Sequence, residues 1–173
     1  MAKGKGKGSL WERDVAKTLT KWLTGVEKPY VWWRAPGSGA MATISAENKE
    51  LSGDIIPLRP EGAFLTDKYS IECKVGYPNS NIHKHLKGVK NDEIRLFWEQ
   101  CCGDADRAGK LPMLIYKKKQ FNALIGVPHI NSELGEIPFI QMSWGNVYDL
   151  PRLYLFDMEE FLNTVSPEDL KIL

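Results

Sequence analysis

Hydrophobic and polar positions recur along this chain with two different periods, and the switches between them lay out its elements. Trp11, Val15, Leu19 and Trp22 return at the spacing of one helical face, with Ser9 as the start and Gly25 as the stop. Ser9-Leu10-Trp11-Glu12 fits a capping box, in which Glu12 reaches back to the backbone of Ser9. Tyr30 to Arg34 is aromatic and β-branched and predicts a strand. Ala35-Pro36-Gly37-Ser38-Gly39-Ala40 breaks regular structure and opens a loop that lasts to about Lys49. Leu51 to Pro57 and Tyr69 to Gly76 predict two short strands, joined through a turn at Arg59 to Gly62. A polar, irregular segment then runs to about Lys90. A second helix follows from Asn91 or Asp92 to about Ala108, with Gly109 past its end. Further strands are expected at Leu111 to Tyr116, Phe121 to Val127, Ile137 to Met142 and Leu153 to Phe156. Two short helices, started by Asp157 and by Ser166-Pro167, close the chain.

The order is αβββαβ with a C-terminal extension. We expect a flexible basic tail at 1–8 and a single α/β domain over 9–173. Its core spans 9–128, its extension 129–173, and a mixed central sheet is flanked by helices.

Two of these strands carry charge in an unexpected place. Side chains alternate faces along a strand, so Tyr69, Ile71, Cys73 and Val75 form an apolar row. Ser70, Glu72 and Lys74 form the other row, which makes Glu72 and Lys74 neighbours. Asp54 sits among Leu51, Ile55 and Ile56, where a carboxylate is costly unless it is paired or binds a cation. Two converging carboxylates suit a hard divalent cation. An ammonium one pleat away suits the charge that develops on a phosphoryl group. Read without further context, the same residues also describe an exposed strand face with a Glu/Lys pair. Glu12 likewise has two readings, as the capping-box acid or as a carboxylate turned toward Asp54 and Glu72.

Composition adds limits. The chain has 173 residues, is 43% hydrophobic and contains no apolar run long enough to span a membrane. No signal-peptide pattern stands at its start. Three cysteines, two of them adjacent, make no disulfide framework, and buried, inert thiols in an intracellular, cytoplasmic setting are expected. The net charge is only +1, yet the lysines cluster. Lys3, Lys5 and Lys7 alternate with glycine, Lys84, Lys87 and Lys90 recur in a loop, and Lys117 to Lys119 form a run. Such clusters suit phosphates. His83 and His85 lack a further ligand at metal-binding spacing.

Lys7-Gly8-Ser9, Glu12-Arg13, Arg34-Ala35-Pro36-Gly37-Ser38-Gly39, Asp54-Ile55 and Glu72-Cys73-Lys74 stand in one order. In that order they resemble the PD-(D/E)xK nuclease superfamily. Within it they are most similar to the archaeal-type Holliday-junction resolvases that some phages also carry. The likeness covers about residues 7–76, and more loosely extends to Lys117.

The resemblance implies a restriction-endonuclease-like fold and a metal-dependent endonuclease acting on four-way DNA junctions. It implies catalytic Glu12, Asp54, Glu72 and Lys74. Asp54 and Glu72 would hold magnesium, or manganese in its place, with the Cys73 carbonyl and Glu12 completing the shell. Arg34 and Ser38 would contact the DNA backbone, and Arg13 would brace Glu12 or touch phosphate. The product would be a 5′-phosphate nick, made by a homodimer in the host cytoplasm if the gene is a phage's. Gly53 replaces the proline often found before the Asp, the loop after Ala40 is longer than the resolvase pattern, and nothing in that pattern matches the chain beyond about His129. These departures leave open a different DNA target, restriction-like or DNA-processing, or a non-catalytic DNA-binding module of the same fold.

Overall fold

The structure is a computed structural model that describes residues 5–36, 52–132, 134–145 and 148–172. Helix α1 (Lys5–Thr24) leads into a hairpin of β1 (Trp32–Arg34) and β2 (Ile55–Pro57). A 3-10 turn (Pro60–Gly62) and a short α2 (Ala63–Lys68) precede β3 (Tyr69–Val75). Then come α3 (Ile82–Leu86), α4 (Glu93–Ala108), β4 (Leu111–Lys117) and β5 (Ala123–Val127). A second 3-10 turn (Leu134–Glu136), β6 (Phe139–Met142), β7 (Leu153–Asp157), α5 (Met158–Thr164) and α6 (Pro167–Ile172) finish the chain.

The main sheet has the order β3-β4-β5-β7-β6. β3 and β4 are parallel, as a crossover through α4 requires, and the remaining neighbours are antiparallel. This is a mixed α/β fold of the restriction-endonuclease-like kind, with the expected αβββαβ order in its first part.

Each face of the sheet covers a core. On one side, Val15, Ala16 and Leu19 of α1 meet Ile71, Met113, Ile115, Ile125 and Phe156. On the other, Ile94, Phe97, Trp98 and Cys101 of α4 meet Leu114, Tyr116, Leu153 and Leu155. Helix α4 begins and ends where its sequence says. The Asp92 carboxylate accepts from the N–H groups of Ile94 and Arg95, and Gly109 closes the helix at φ +69°. Asp157 caps α5 in the same manner. All three cysteines are free and buried, and burial holds Cys102 at about 12 and the other two well above the ordinary thiol range.

Several expectations need correction. Helix α1 starts at Lys5, so Ser9 lies inside it and is not its N-cap. Serine and glutamate three apart are equally compatible with a helix interior when the acid has a distant partner, which Glu12 has in Arg34. Part of the segment expected as a tail is therefore helix. A short helix, α2, follows the expected turn at Arg59–Gly62, and another, α3, interrupts the expected irregular segment; Asn81 caps it through the Lys84 N–H. β1 and β2 are shorter than their apolar runs, and Asp54 stands just before β2 rather than within it. The loop from Gly37 to Leu51 lies outside the described residues. None of the described helices is long and apolar enough to cross a membrane.

Candidate active site

The site forms along the edge of β3 that β4 leaves uncovered. The Asp54 N–H donates to the Ile71 carbonyl at 2.7 Å, and the Ala35 N–H donates to the Asp54 carbonyl at 2.7 Å. These bonds tie the β1–β2 hairpin to the sheet. Gly53 permits the approach. Its φ is +89°, and a Cβ there would lie 2.7 Å from Ile71 N and 2.8 Å from Ile71 O. Proline's fixed negative φ is incompatible with that backbone, which accounts for the departure from a Pro-Asp pattern.

Held this way, Asp54 accepts the Cys73 N–H on Oδ2 at 2.8 Å. Cys73 thus turns its backbone to the site while its thiol packs in the apolar core. Glu72 and Lys74 lie on the opposite pleat, toward α4. The Lys74 ammonium donates to Glu72 Oε1 and, at 2.9 Å, to Gln100 Oε1. The Gln100 amide in turn donates to Glu72 Oε1 at 2.9 Å. Three side chains close a hydrogen-bonded ring. Glu12 enters from α1, buried, with its Oε2 accepting from Arg34 Nε at 2.8 Å.

The electrostatics follow from this crowding. Asp54 is 7% exposed and Glu72 6%. Burial, then the charge of Glu72, lifts the Asp54 carboxyl to about 7, against the pull of the Cys73 N–H and Lys74. Burial likewise raises Glu72, although Lys74 opposes it. For Lys74, burial acts to lower the pKa, but the charge and hydrogen bond of Glu72 outweigh it and the pKa is raised. Lys74 is therefore an ammonium at neutral pH, suited to binding an anion and unsuited to act as a base.

Among the described residues, no group of three or more His, Cys, Asp and Glu side chains is gathered closely enough to hold a metal ion. The donor set at the β3 edge nevertheless fits a hard divalent cation. It offers oxygen donors, and burial raises both carboxyls while the charge of Glu72 makes Asp54 harder still to ionise. A cation between them would relieve both burial and repulsion.

The other residues singled out in the sequence divide. Arg34, expected on the DNA backbone, is the partner of Glu12, while Arg13 is exposed on α1. Lys7 is exposed in the first turns of α1. Lys3 and Ser38 lie outside the described residues, and Lys5 is described as backbone only. His85 packs edge-on against Trp144 and faces Asp92, so it is part of the packing around α4, while His83 is exposed. Gln100 is the site residue that sequence reasoning missed. It flanks the apolar face of α4, and nothing local marks a glutamine there as different from any surface amide.

A family described as "phage putative PDDEXK endonuclease" matches this chain over residues 3–171. The chain belongs to that phage PDDEXK family. It is thus an endonuclease of the PD-(D/E)xK superfamily. Protein D14 of Escherichia phage T5 is a relative, 33% identical over 125 residues, which cover 72% of this chain and 68% of that protein. No solved structure matches this PDDEXK chain.

Proposed function

We propose that this PDDEXK chain is a divalent-metal-dependent, structure-selective DNA endonuclease that nicks branched DNA of the four-way-junction kind. One observation carries the reading. Asp54 and Glu72 are buried at one strand edge, where burial raises the proton affinity of both and the charge of Glu72 raises that of Asp54 further, beside an ammonium that stays charged. Such a set is costly to a fold and useful to phosphodiester hydrolysis.

Asp54 and Glu72 would hold magnesium, or manganese in its place, with Glu12 and the Cys73 carbonyl as further donors. When bound, the ion supplies Lewis acidity toward the phosphodiester. Lys74 donates to the attacking water and to the charge that builds on the phosphoryl oxygens. Gln100 fixes the ammonium and Glu72 relative to one another. Arg34 holds Glu12 and presents positive charge toward the backbone. Water adds to phosphorus, the bond to O3′ breaks, and the products are a 3′-hydroxyl and a 5′-phosphate.

Junction selectivity is supported by the ordered motifs shared with resolvases. Opposed nicks across a symmetric junction call for a two-fold dimer, which sedimentation velocity would detect. The deciding experiment incubates the protein with an end-labelled mobile four-way junction, and with a linear duplex of the same sequence, in magnesium and in chelator. Paired nicks in the junction alone, abolished by chelator, are expected. Equal cutting of the duplex assigns a different DNA target to the same site. Binding without cutting in magnesium makes the chain a non-catalytic DNA-binding module.

A further inference from the structure

Two segments that the reaction centre does not use are joined beside it. The run from Tyr77 to Lys90 contains three lysines and two histidines, and the run from Lys117 to Ala123 contains three lysines. Neither contains a carboxylate, although the whole chain has 23 basic and 22 acidic residues. Acids enter the neighbourhood only from other elements: Glu93 of α4 beside the first run, and Asp14, Glu27, Asp157 and Glu159 across the groove that Lys117 and Phe121 border on the α1 side.

The fold brings the two runs together. The Gly76 N–H donates to the Lys117 carbonyl at 3.0 Å, Lys118 Nζ donates to the Ser80 carbonyl at 2.7 Å, and the Ser80 hydroxyl bonds the Tyr116 hydroxyl. The acids that follow at the start of α4 are already engaged, since Asp92 is buried and Glu93 pairs with Lys84. Lys87, Lys90 and Lys119 are exposed on the resulting shelf. The shelf also adjoins the reaction centre. The Tyr77 ring packs at a tilt against Phe97, centroids 4.5 Å apart, and the Lys74 ammonium lies 5.9 Å from the centre of that same Phe97 ring.

The shelf carries an apolar projection. Phe121 ends the turn of the β4–β5 hairpin, where its N–H donates to the Lys118 carbonyl at 3.1 Å, and it is 64% exposed. Lys118 Nζ lies 5.8 Å from the centre of its ring, and an exposed aromatic ring beside an ammonium suits a nucleobase, which offers a flat apolar face next to phosphate charge.

We infer that this shelf seats one duplex arm of branched DNA on Lys87, Lys90 and Lys119, and that Phe121 stacks on the base pair left open at the branch. The inference rests on the DNA-cleaving reading above and adds to it the surface that selects branches.

Binding of a fluorescent four-way junction and of a linear duplex of the same sequence, measured in chelator across a salt series, tests it. Lys87→Ala/Lys90→Ala/Lys119→Ala should weaken both substrates and flatten the dependence of log affinity on log salt by about 0.9 per lost phosphate contact. Phe121→Ala should weaken the junction about tenfold and leave the duplex unchanged. All four side chains are exposed, so both variants should fold, which circular dichroism checks. A triple variant with the salt slope of the parent overturns the shelf, and Phe121→Ala with parental junction affinity overturns the wedge. If the parent itself binds junction and duplex equally, junction selectivity fails together with the wedge, and the slope on the duplex still decides the shelf.

Discussion

β3 and β4 lie side by side in parallel and use the same pleat for opposite ends. Toward α4, β4 presents Leu114 and Tyr116, and β3 presents Glu72 and Lys74 in register with them. Leu114 is fully buried and Glu72 is 6% exposed. Burying a leucine stabilises a fold by about 2 kcal/mol. Burying a carboxylate costs several kcal/mol unless partners compensate it. At this paired position β4 therefore contributes stability, and β3 gives stability up. The difference is the one that the proposed reaction centre on β3 calls for.

The comparison breaks most visibly at Asp54. Asp54→Asn keeps the shape and the Cys73 contact but removes the charge that a cation needs. Nicking in magnesium should fall by about 10³-fold or more, equivalent to ~4 kcal/mol of lost transition-state stabilisation. DNA binding in chelator should persist. Nicking at the parental rate would show that the β3 edge is not the reaction centre.

The opposite strand gives the opposite result. Leu114→Ala should cost about 3 kcal/mol in urea unfolding, through lost transfer energy and a cavity. The rate constant of the folded fraction should stay unchanged. A variant of full stability but reduced turnover would place chemistry on β4 and erase the contrast.

The stability given up by β3 also depends on pH. Asp54 titrates at about 7 in the fold and near 4 when unfolded. Between those values the native state holds a proton that the unfolded chain has released. Metal-free stability must therefore fall as pH climbs from about 4 to 7, by on the order of a few kcal/mol, and stay low above that. Asp54→Asn removes this decline, so the variant should gain on the parent between pH 5 and pH 8 in chelator. Urea midpoints of the two proteins that keep a constant separation over that range would contradict the assigned burial of Asp54.

What could be read from the chain divides along the same line. The apolar row of β3, the face of α1 and both boundaries of α4 were legible because each depends on neighbours a few residues away. Asp92 and Gly109 bound α4 by local geometry alone. The carboxylates of Asp54 and Glu72 were legible because charge beside or within a short apolar run is rare enough to stand out. The start of α1 was misread because Ser9 and Glu12 satisfy a local motif whose acid is engaged 22 residues away, at Arg34. Gln100 gave no signal, since its bond to Glu72 spans 28 residues and two elements. Pairings of that range are set by packing the helix on the sheet.

Gln100 sharpens the comparison with the smallest expected effect. It belongs to α4, whose buried side chains serve the core, yet its amide serves β3. The bond to Glu72 Oε1 and the bond from Lys74 use both ends of one amide. Gln100→Leu keeps the volume and removes both, and because Gln100 is exposed the fold should hardly notice. Lys74 and Glu72 keep their mutual ion pair but lose the group that fixes its orientation. Losing such an orienting partner typically costs about tenfold. The loss should fall on kcat, with KM for DNA little changed, since Gln100 positions the reacting groups without holding the substrate. Gln100→Glu is the discriminating partner. It keeps an acceptor for Lys74 but sets a second carboxylate beside Glu72, which should raise the Glu72 pKa further and move the acid limb of the pH–rate profile upward. If both variants turn over like the parent with unmoved pH profiles, the ring is an incidental surface contact, and the exception that β3 makes to the rule of β4 is held by Lys74 alone.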